Sequence, residues 1–269
     1  MRISVVIPTL NRCDMLRDCL AALPAGMDGV EYEVIVVASG ADDGSADAAR
    51  GAEATYVSLG DQTYFARAVN EGARRATGEW LLLLNDDTVP APGFCARMLG
   101  TAVSMRASVV GSRTRLADGT IQQAGVAFRS DGVPVMLDYK CAAGAEPRRE
   151  DRYAAAVCFA CALVRRDVFL VLDGLDESFI NAYDDVDFCL RAVERGYRVA
   201  YHAGGRTTHL WAPSESERQK SSSDALLKLT ARWGYRLPAL LARADDCFVE
   251  SRGASGYAVA PAAAPRVWT

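Results

Sequence analysis

The 269-residue sequence contains no run of 18 apolar residues, so no membrane-spanning helix is expected. A secretory leader is not expected either, because Pro8 and Asn11 interrupt the apolar N-terminal run before a signal core can form. Positive charge is not in excess: 30 Lys and Arg stand against 34 Asp and Glu, for a net charge of -4, and the basic residues are dispersed. That excludes the electrostatic footprint of a nucleic-acid binder and favours a small-molecule partner. There is no internal repeat, and no G-x-G-x-x-G follows the first apolar run, where the chain reads Pro8-Thr9-Leu10-Asn11-Arg12. A dinucleotide-dependent dehydrogenase is thereby set aside. Histidine is scarce, with only His202 and His209.

Cysteine is present, but not as a framework. Cys13, Cys19, Cys95, Cys141, Cys158, Cys161, Cys189 and Cys247 are scattered through a chain long enough to fold without staples. Cys158 and Cys161 form a C-x-x-C inside an apolar run; with no second ligand pair and no helix opening there, they are read as structural. The chain is expected in the cytosol.

Half of the residues are apolar, ample for a buried core. Residues 3–7, 33–37, 54–57 and 80–84 read as short apolar strands, and helical spacing follows each of the first three, over 16–23, to about Arg50, and over 65–76. This alternation predicts an α/β fold with a mostly parallel central sheet and helices on both faces, binding its ligand at the carboxyl ends of the strands. Past Val110 the pattern is less regular: strand and hairpin over 120–128, a polar loop over 141–152, strand at 157–164, a short helix at 168–172, an amphipathic helix through Val186, Leu190 and Val193, and a last short strand at 198–201. Residues 214–224 are Ser- and charge-rich and are expected to be a mobile lid, 225–244 helical with a break, and the tail from Gly253 disordered. The expected division is a ligand-binding half at 1–110, an acceptor and catalytic half at 111–235, and a C-terminal helix end with disordered tail at 236–269. Trp233, Tyr235, Leu237, Leu240 and Leu241 read as a core or dimer contact rather than a bilayer contact, leaving a homodimer open.

Three local signals carry chemistry. Asn85-Asp86-Asp87-Thr88 puts adjacent carboxylates at the tip of a buried strand, where they repel unless a cation compensates, although Asp87-Thr88 could equally cap a helix starting near Pro92. Asp184 and Asp185 open a helix, whose dipole favours their ionised form, while Asp187 is spaced to pair with Arg191 and is read as structural. His209 lies outside any periodic element; a lone histidine is more often structural than a ligand.

The residues 5–12, the loop ending Asp43-Gly44-Ser45, the 85–88 tip, Asp173-Gly174-Leu175-Asp176-Glu177, Asp184-Asp185-Val186-Asp187 and His209 occur in an order that resembles the inverting GT-A glycosyltransferases of family 2, most closely their rhamnosyltransferase-type branch. The resemblance runs from Arg2 to Trp211 and implies the GT-A fold with a nucleotide-sugar donor, UDP- or dTDP-linked. It implies donor contacts from Pro8, Thr9, Asn11, Ala38, Ser39, Asp43, Arg67, Asn70, Asn85 and Asp86, with Mn²⁺ or Mg²⁺ held by Asp87 and His209. Asp185 takes the place of the general base, and Asp184 stands where the family usually has glutamate. Where the family often reads the base with Asp and Arg, this chain has Ala38 and Val69, so both nucleosides stay open. The acceptor is expected to be a small molecule, a carrier-bound metabolite or a glycan. The alternative is a non-catalytic nucleotide-sugar-binding protein.

Overall fold

The computed structural model describes residues 1–60, 63–142, 144, 148–180, 182–210, 215–242, 248–251 and 257–259, with side chains for all of these except 215–222, 248–251 and 257–259. Strand β1 (Arg2–Leu10) is built on Ile3, Val5, Val6 and Ile7, all fully buried, as suits β-branched side chains in a strand covered on both faces. Helix α1 (Cys13–Gly26), β2 (Glu31–Ser39), α2 (Ser45–Gly51), β3 (Thr55–Ser58), α3 (Phe65–Arg75) and β4 (Trp80–Leu84) complete the alternating half. Period-2 alternation then sorts the side chains. Ile3, Val5, Ile7, Leu82 and Leu84 join Leu16, Cys19 and Leu23 of α1 in one core, whereas Val6, Val37, Leu81 and Leu83 join Ala66, Val69 and Ala73 of α3 in the other. Each fully buried leucine contributes about 1.5–3 kcal/mol.

The rest of the chain supplies β5 (Thr88–Val89), α4 (Phe94–Ser104), β6 (Val109–Leu116), β7 (Ile121–Gln123), β8 (Val126–Arg129), β9 (Pro134–Met136), β10 (Arg152–Tyr153), β11 (Cys161–Arg165), α5 (Arg166–Val171), α6 (Asp184–Glu194), β12 (Val199–His209), α7 (Glu215–Trp233), α8 (Leu237–Leu241), β13 (Phe248–Ser251) and β14 (Tyr257–Val259). The main sheet runs β10-β12-β6-β11-β4-β1-β2-β3, with β5 on β12 and β7 on β6. Strands β3, β2, β1 and β4 are mutually parallel; β11 is antiparallel to both β4 and β6, and β12 is parallel to β6. The carboxyl ends of β1, β2, β4, β6 and β12 therefore open on one edge, and the residues just before β11 reach that same edge. A smaller sheet runs β14-β13-β8-β9.

Several expectations need correction. The last short strand is in fact the 11-residue β12, interrupted by a register shift between His202 and Thr207, so His209 is a strand residue paired with Thr88 and Leu116. Of the expected lid, 215–224 is the first half of α7 and Ser214 lies outside the described residues. Tyr257–Val259 pairs with β13, so part of the tail expected to be disordered is strand. The strand expected at 157–164 begins only at Cys161. The expected core contact holds for Trp233, Leu237, Leu240 and Leu241, which are buried, whereas Tyr235 is exposed. Cys13, Cys19, Cys95, Cys141, Cys158, Cys161 and Cys189 are free thiols; Cys247, like Asn181 and Trp211, is not among the described residues. No helix among the described residues is long and apolar enough to cross a membrane.

Candidate active site

Beyond β4 the chain turns sharply, with the Asn85 N–H donating to Ala160 O (3.0 Å) and the Thr88 N–H to Asn85 O (3.2 Å). This turn holds Asp86 and Asp87 at the strand edge, 4% and 1% exposed. Thr9 Oγ1 at the end of β1 donates to Asp86 Oδ2 (2.7 Å), and Arg12 Nη1 donates to Asp87 Oδ2 (2.9 Å) while lying 3.6 Å from Asp86 Oδ1. Burial lifts the Asp86 carboxyl to about 6; the Asp87 charge adds to the rise, and the Thr9 hydroxyl and the Arg12 and His209 charges restrain it. Helix α4 is capped by Gly93, so Asp87 and Thr88 are not its cap.

His209, at the last position of β12, brings Nε2 to 2.7 Å from Asp87 Oδ1, and both side chains are buried. Its Nδ1 lies 2.7 and 2.9 Å from the two carboxamide atoms of Gln122, which fixes the ring. Beyond that imidazole contact Asp87 Oδ1 has no hydrogen-bond partner, and the buried Asn85 Oδ1 has none. A buried carboxylate oxygen whose one polar contact is an imidazole nitrogen at the same strand edge is a donor set that fits a divalent cation. Among the described residues no group of three His, Cys, Asp or Glu gathers. Two protein ligands suit an ion that takes its remaining oxygens from a phosphorylated ligand.

The second carboxylate pair approaches the same edge through residues 158–160. Asp185 Oδ2 accepts the Phe159 N–H (3.2 Å) and Oδ1 accepts the Val186 N–H (2.7 Å), while Ala160 O ties the same segment to Asn85. Burial raises both carboxyls. Asp184 is pushed up to about 8, with the neighbouring Asp185 charge adding to the effect, and its Oδ2 has no partner. For Asp184 the expectation that the helix dipole keeps it ionised is therefore corrected: desolvation outweighs the dipole. Asp185 is raised by burial as well, but the Phe159 and Val186 N–H groups and the Cys158 thiol stabilise its ionised form. Of the two, Asp185 is the one whose oxygens accept the Phe159 and Val186 N–H groups, which favours its ionised form.

Other expected donor residues have structural duties. Asp43 Oδ2 accepts the Cys13 N–H (2.9 Å) and Oδ1 accepts the Ser45 N–H (3.2 Å) and Oγ (2.5 Å), so this carboxylate ties together the starts of α1 and α2. Asn70 also has structural partners. Its Nδ2 donates to Leu175 O (2.9 Å) and Glu177 Oε1 (3.0 Å), and its Oδ1 accepts the Leu175 N–H (2.8 Å). That clasp explains the Asp173–Glu177 string, because a Cβ on Gly174 (φ +65°) would sit 2.4 Å from Asn70 Oδ1. The Ser39 hydroxyl bonds to Thr63 Oγ1 (2.6 Å), and Ala38 O accepts the Leu59 N–H (2.9 Å). Pro8 is half-buried beside Val37, Asn11 is exposed with φ 54°, and Arg67 is exposed on α3. Asp187, fully buried, accepts from Arg191 Nε (2.8 Å), Arg232 Nη1 (2.8 Å) and Trp233 Nε1 (2.9 Å), which makes it a structural hub. Sequence reasoning missed Arg12, Gln122 and Phe159; a backbone donor and a glutamine brought in from another strand leave no local signal.

The family model for glycosyl transferase family 2 matches residues 4–173, more than half of the chain. The sequence is 28% identical over 264 residues to the O-antigen biosynthesis protein RfbC of Myxococcus xanthus, covering 91% of this chain but 21% of that protein. The chain is thus about a fifth the length of that relative. Among solved structures, residues 1–349 of S. aureus TarS in complex with UDP-GlcNAc superpose with a TM-score of 0.62 at 16% identity, over 91% of this chain and 68% of that one. GalNAc-T7 with UDP, GalNAc and Mn²⁺ also gives 0.62, at 12% identity, over 80% and 44% of the two chains. These likenesses establish the GT-A architecture, and by its sequence the chain belongs to glycosyl transferase family 2.

Proposed function

We propose that this chain transfers a sugar from a UDP- or dTDP-linked donor to an acceptor hydroxyl or amine by single displacement, inverting the anomeric centre. The observation that carries the reading is the buried Asp87–His209 pair, 2.7 Å apart, with no other hydrogen-bond partner at Asp87 Oδ1. Asp87 and His209 would hold Mn²⁺ or Mg²⁺, which when bound supplies positive charge to the leaving diphosphate. Gln122 orients the imidazole, and Arg12 places a second positive charge at the same edge. Asp185 removes the acceptor proton as the acceptor atom bonds to the anomeric carbon; the bond to the diphosphate breaks and its electron pair leaves with the nucleotide. Asp184, neutral beside it, adds no competing charge. Support for the donor class comes from the neighbours bound to UDP-GlcNAc and to UDP with Mn²⁺.

The test is nucleotide binding by calorimetry with and without Mn²⁺, in the parent and in Asp87→Ala. The parent should bind UDP or dTDP more tightly with the ion, and the variant should show no such enhancement. If neither nucleotide binds the parent with metal, the reading fails. Binding without turnover of any donor would instead indicate a non-catalytic nucleotide-sugar-binding protein.

A further inference from the structure

The register shift in β12 falls between His202 and Thr207, where β12 bulges away from β6 and inserts Gly204, Gly205 and Arg206. Bulges of this kind re-aim side chains. Here the bulge is specified by sequence, because a Cβ on Gly205 would lie 2.1 Å from Ser112 Oγ and 2.8 Å from the Arg113 backbone. Beside it opens a cavity of about 330 Å³ lined by Arg113, Arg115, Arg149 and Arg206 together with Gly204 and Gly205. Four guanidinium groups around one cavity stand out in a chain whose net charge is -4.

The inner side of the cavity is held by hydrogen bonds, while Arg149 and Arg206 are exposed. Arg113 is 8% exposed, and its Nε donates to Tyr201 Oη (2.8 Å) while Nη2 donates to Arg148 O (2.7 Å). Arg148 is itself buried in an ion pair with Asp138. The Ala203 N–H donates to Asp151 Oδ1 (2.8 Å), and Thr101 Oγ1 bonds to Asp151 Oδ2 (2.5 Å), which pins the 148–151 segment to β12. Arg206 is exposed on the bulge and makes no hydrogen bond or ion pair among the described residues. Position decides the role. Arg113 is bonded to Tyr201, whose ring lies in the same core as Val186 and Phe188 of α6, so the cavity opens on the side of the sheet that carries Asp185. Along the strands, Arg115 is in register with Thr208, next to His209.

We propose that this cavity is an oxyanion site for a phosphate or diphosphate group carried by the acceptor. The proposal rests on the assignment of Asp185 to the acceptor proton. Arginine forks match tetrahedral oxyanions by paired hydrogen bonds, and four of them around one cavity suit a multiply charged anion such as a diphosphate better than a single carboxylate. The donor diphosphate is provided for elsewhere, by Asp87, His209 and Arg12.

The test uses inorganic diphosphate in EDTA, where the Asp87–His209 pair has no ion to offer, measured by calorimetry on the parent, Arg206→Gln, Arg115→Gln, Arg50→Gln and Asp87→Ala. The parent and Asp87→Ala should bind alike, and Arg206→Gln and Arg115→Gln should each weaken binding about tenfold or more, the size of one charge-assisted contact. Arg50→Gln, which removes an exposed arginine on α2, should change nothing. No metal-free binding in the parent, unchanged binding in both cavity variants, or an equal loss in Arg50→Gln would overturn the site. Metal-dependent UDP or dTDP binding is measured in parallel: its failure while diphosphate binding persists refutes the donor reading and leaves the anion site standing. Two competition arms name the source, vesicles of phosphatidylcholine with phosphatidic acid for a lipid headgroup and glucose 1-phosphate for a soluble acceptor. Displacement of diphosphate by either supports the site, and displacement by neither overturns its assignment to an acceptor.

Discussion

Replacing Asp184 and Asp185 in turn by Asn separates two adjacent carboxyls that the structure treats differently. With its carboxyl pushed up to about 8 by burial, Asp184 favours its neutral form at pH 7, so Asp184→Asn exchanges one neutral group for another. Turnover at pH 7 should stay within about threefold of the parent, since no charge that the reaction uses is removed. Asp185→Asn removes the proton acceptor, and the expected loss is about 10²- to 10⁴-fold, or about 2.7–5.5 kcal/mol on the barrier. The same change leaves either the Phe159 or the Val186 N–H without an acceptor, costing about 1–3 kcal/mol of stability, so folding must be checked by thermal denaturation. The assay is release of nucleoside diphosphate from UDP-GlcNAc or a dTDP-sugar across pH 5–9. The sign of the pH dependence follows from the raised pKa of Asp185: activity is lost as pH falls through that value, because the protonated acid cannot take a proton. In Asp184→Asn the neighbouring negative charge can no longer form, so the acidic limb moves to lower pH or stays put. Stability behaves oppositely. A carboxyl raised on folding binds its proton more tightly in the folded state, so the parent loses stability as pH rises from about 4 toward about 8, and Asp184→Asn loses less, the raised Asp86 and Asp185 remaining. Equal losses of turnover in the two variants, or a larger loss in Asp184→Asn, would refute the assignment.

His209→Ala should lower turnover more than nucleotide affinity, because Nε2 is placed to act with Asp87 on the leaving group; equal turnover in variant and parent, read by the same release assay, would leave His209 structural. Gly174→Ala should destabilise by at least about 1–2 kcal/mol in urea unfolding, since it forces a Cβ into left-handed backbone and against the Asn70 amide. Asp187→Ala should cost about 3–5 kcal/mol by the same method, as two arginines and an indole lose a shared buried acceptor; a loss below about 1 kcal/mol would remove Asp187 as a hub.

The N-terminal half was legible in the sequence because its signals are local. Apolar runs such as Trp80–Leu84 are buried on both faces, and the helix spacing of Leu16, Cys19, Leu20 and Leu23 states which side meets the sheet. The acidic tip at Asp86-Asp87 and the helix opening at Asp184-Asp185 were legible for the same reason: charge stands at the end of an apolar element, where burial alone would not put it. Tertiary structure decided what each polar group does. Asp43 and Asn70 read like ligand contacts, yet the first accepts the N–H of Cys13, 30 residues away, and the second clasps a loop 105 residues away. His209 acquired its partners only because β12 continues past a bulge that places it opposite Thr88, with Gln122 behind it. The ionisation of Asp184 was set by how deeply it is buried, since desolvation depends on every element packed around a carboxyl, and no spacing along the chain encodes that depth.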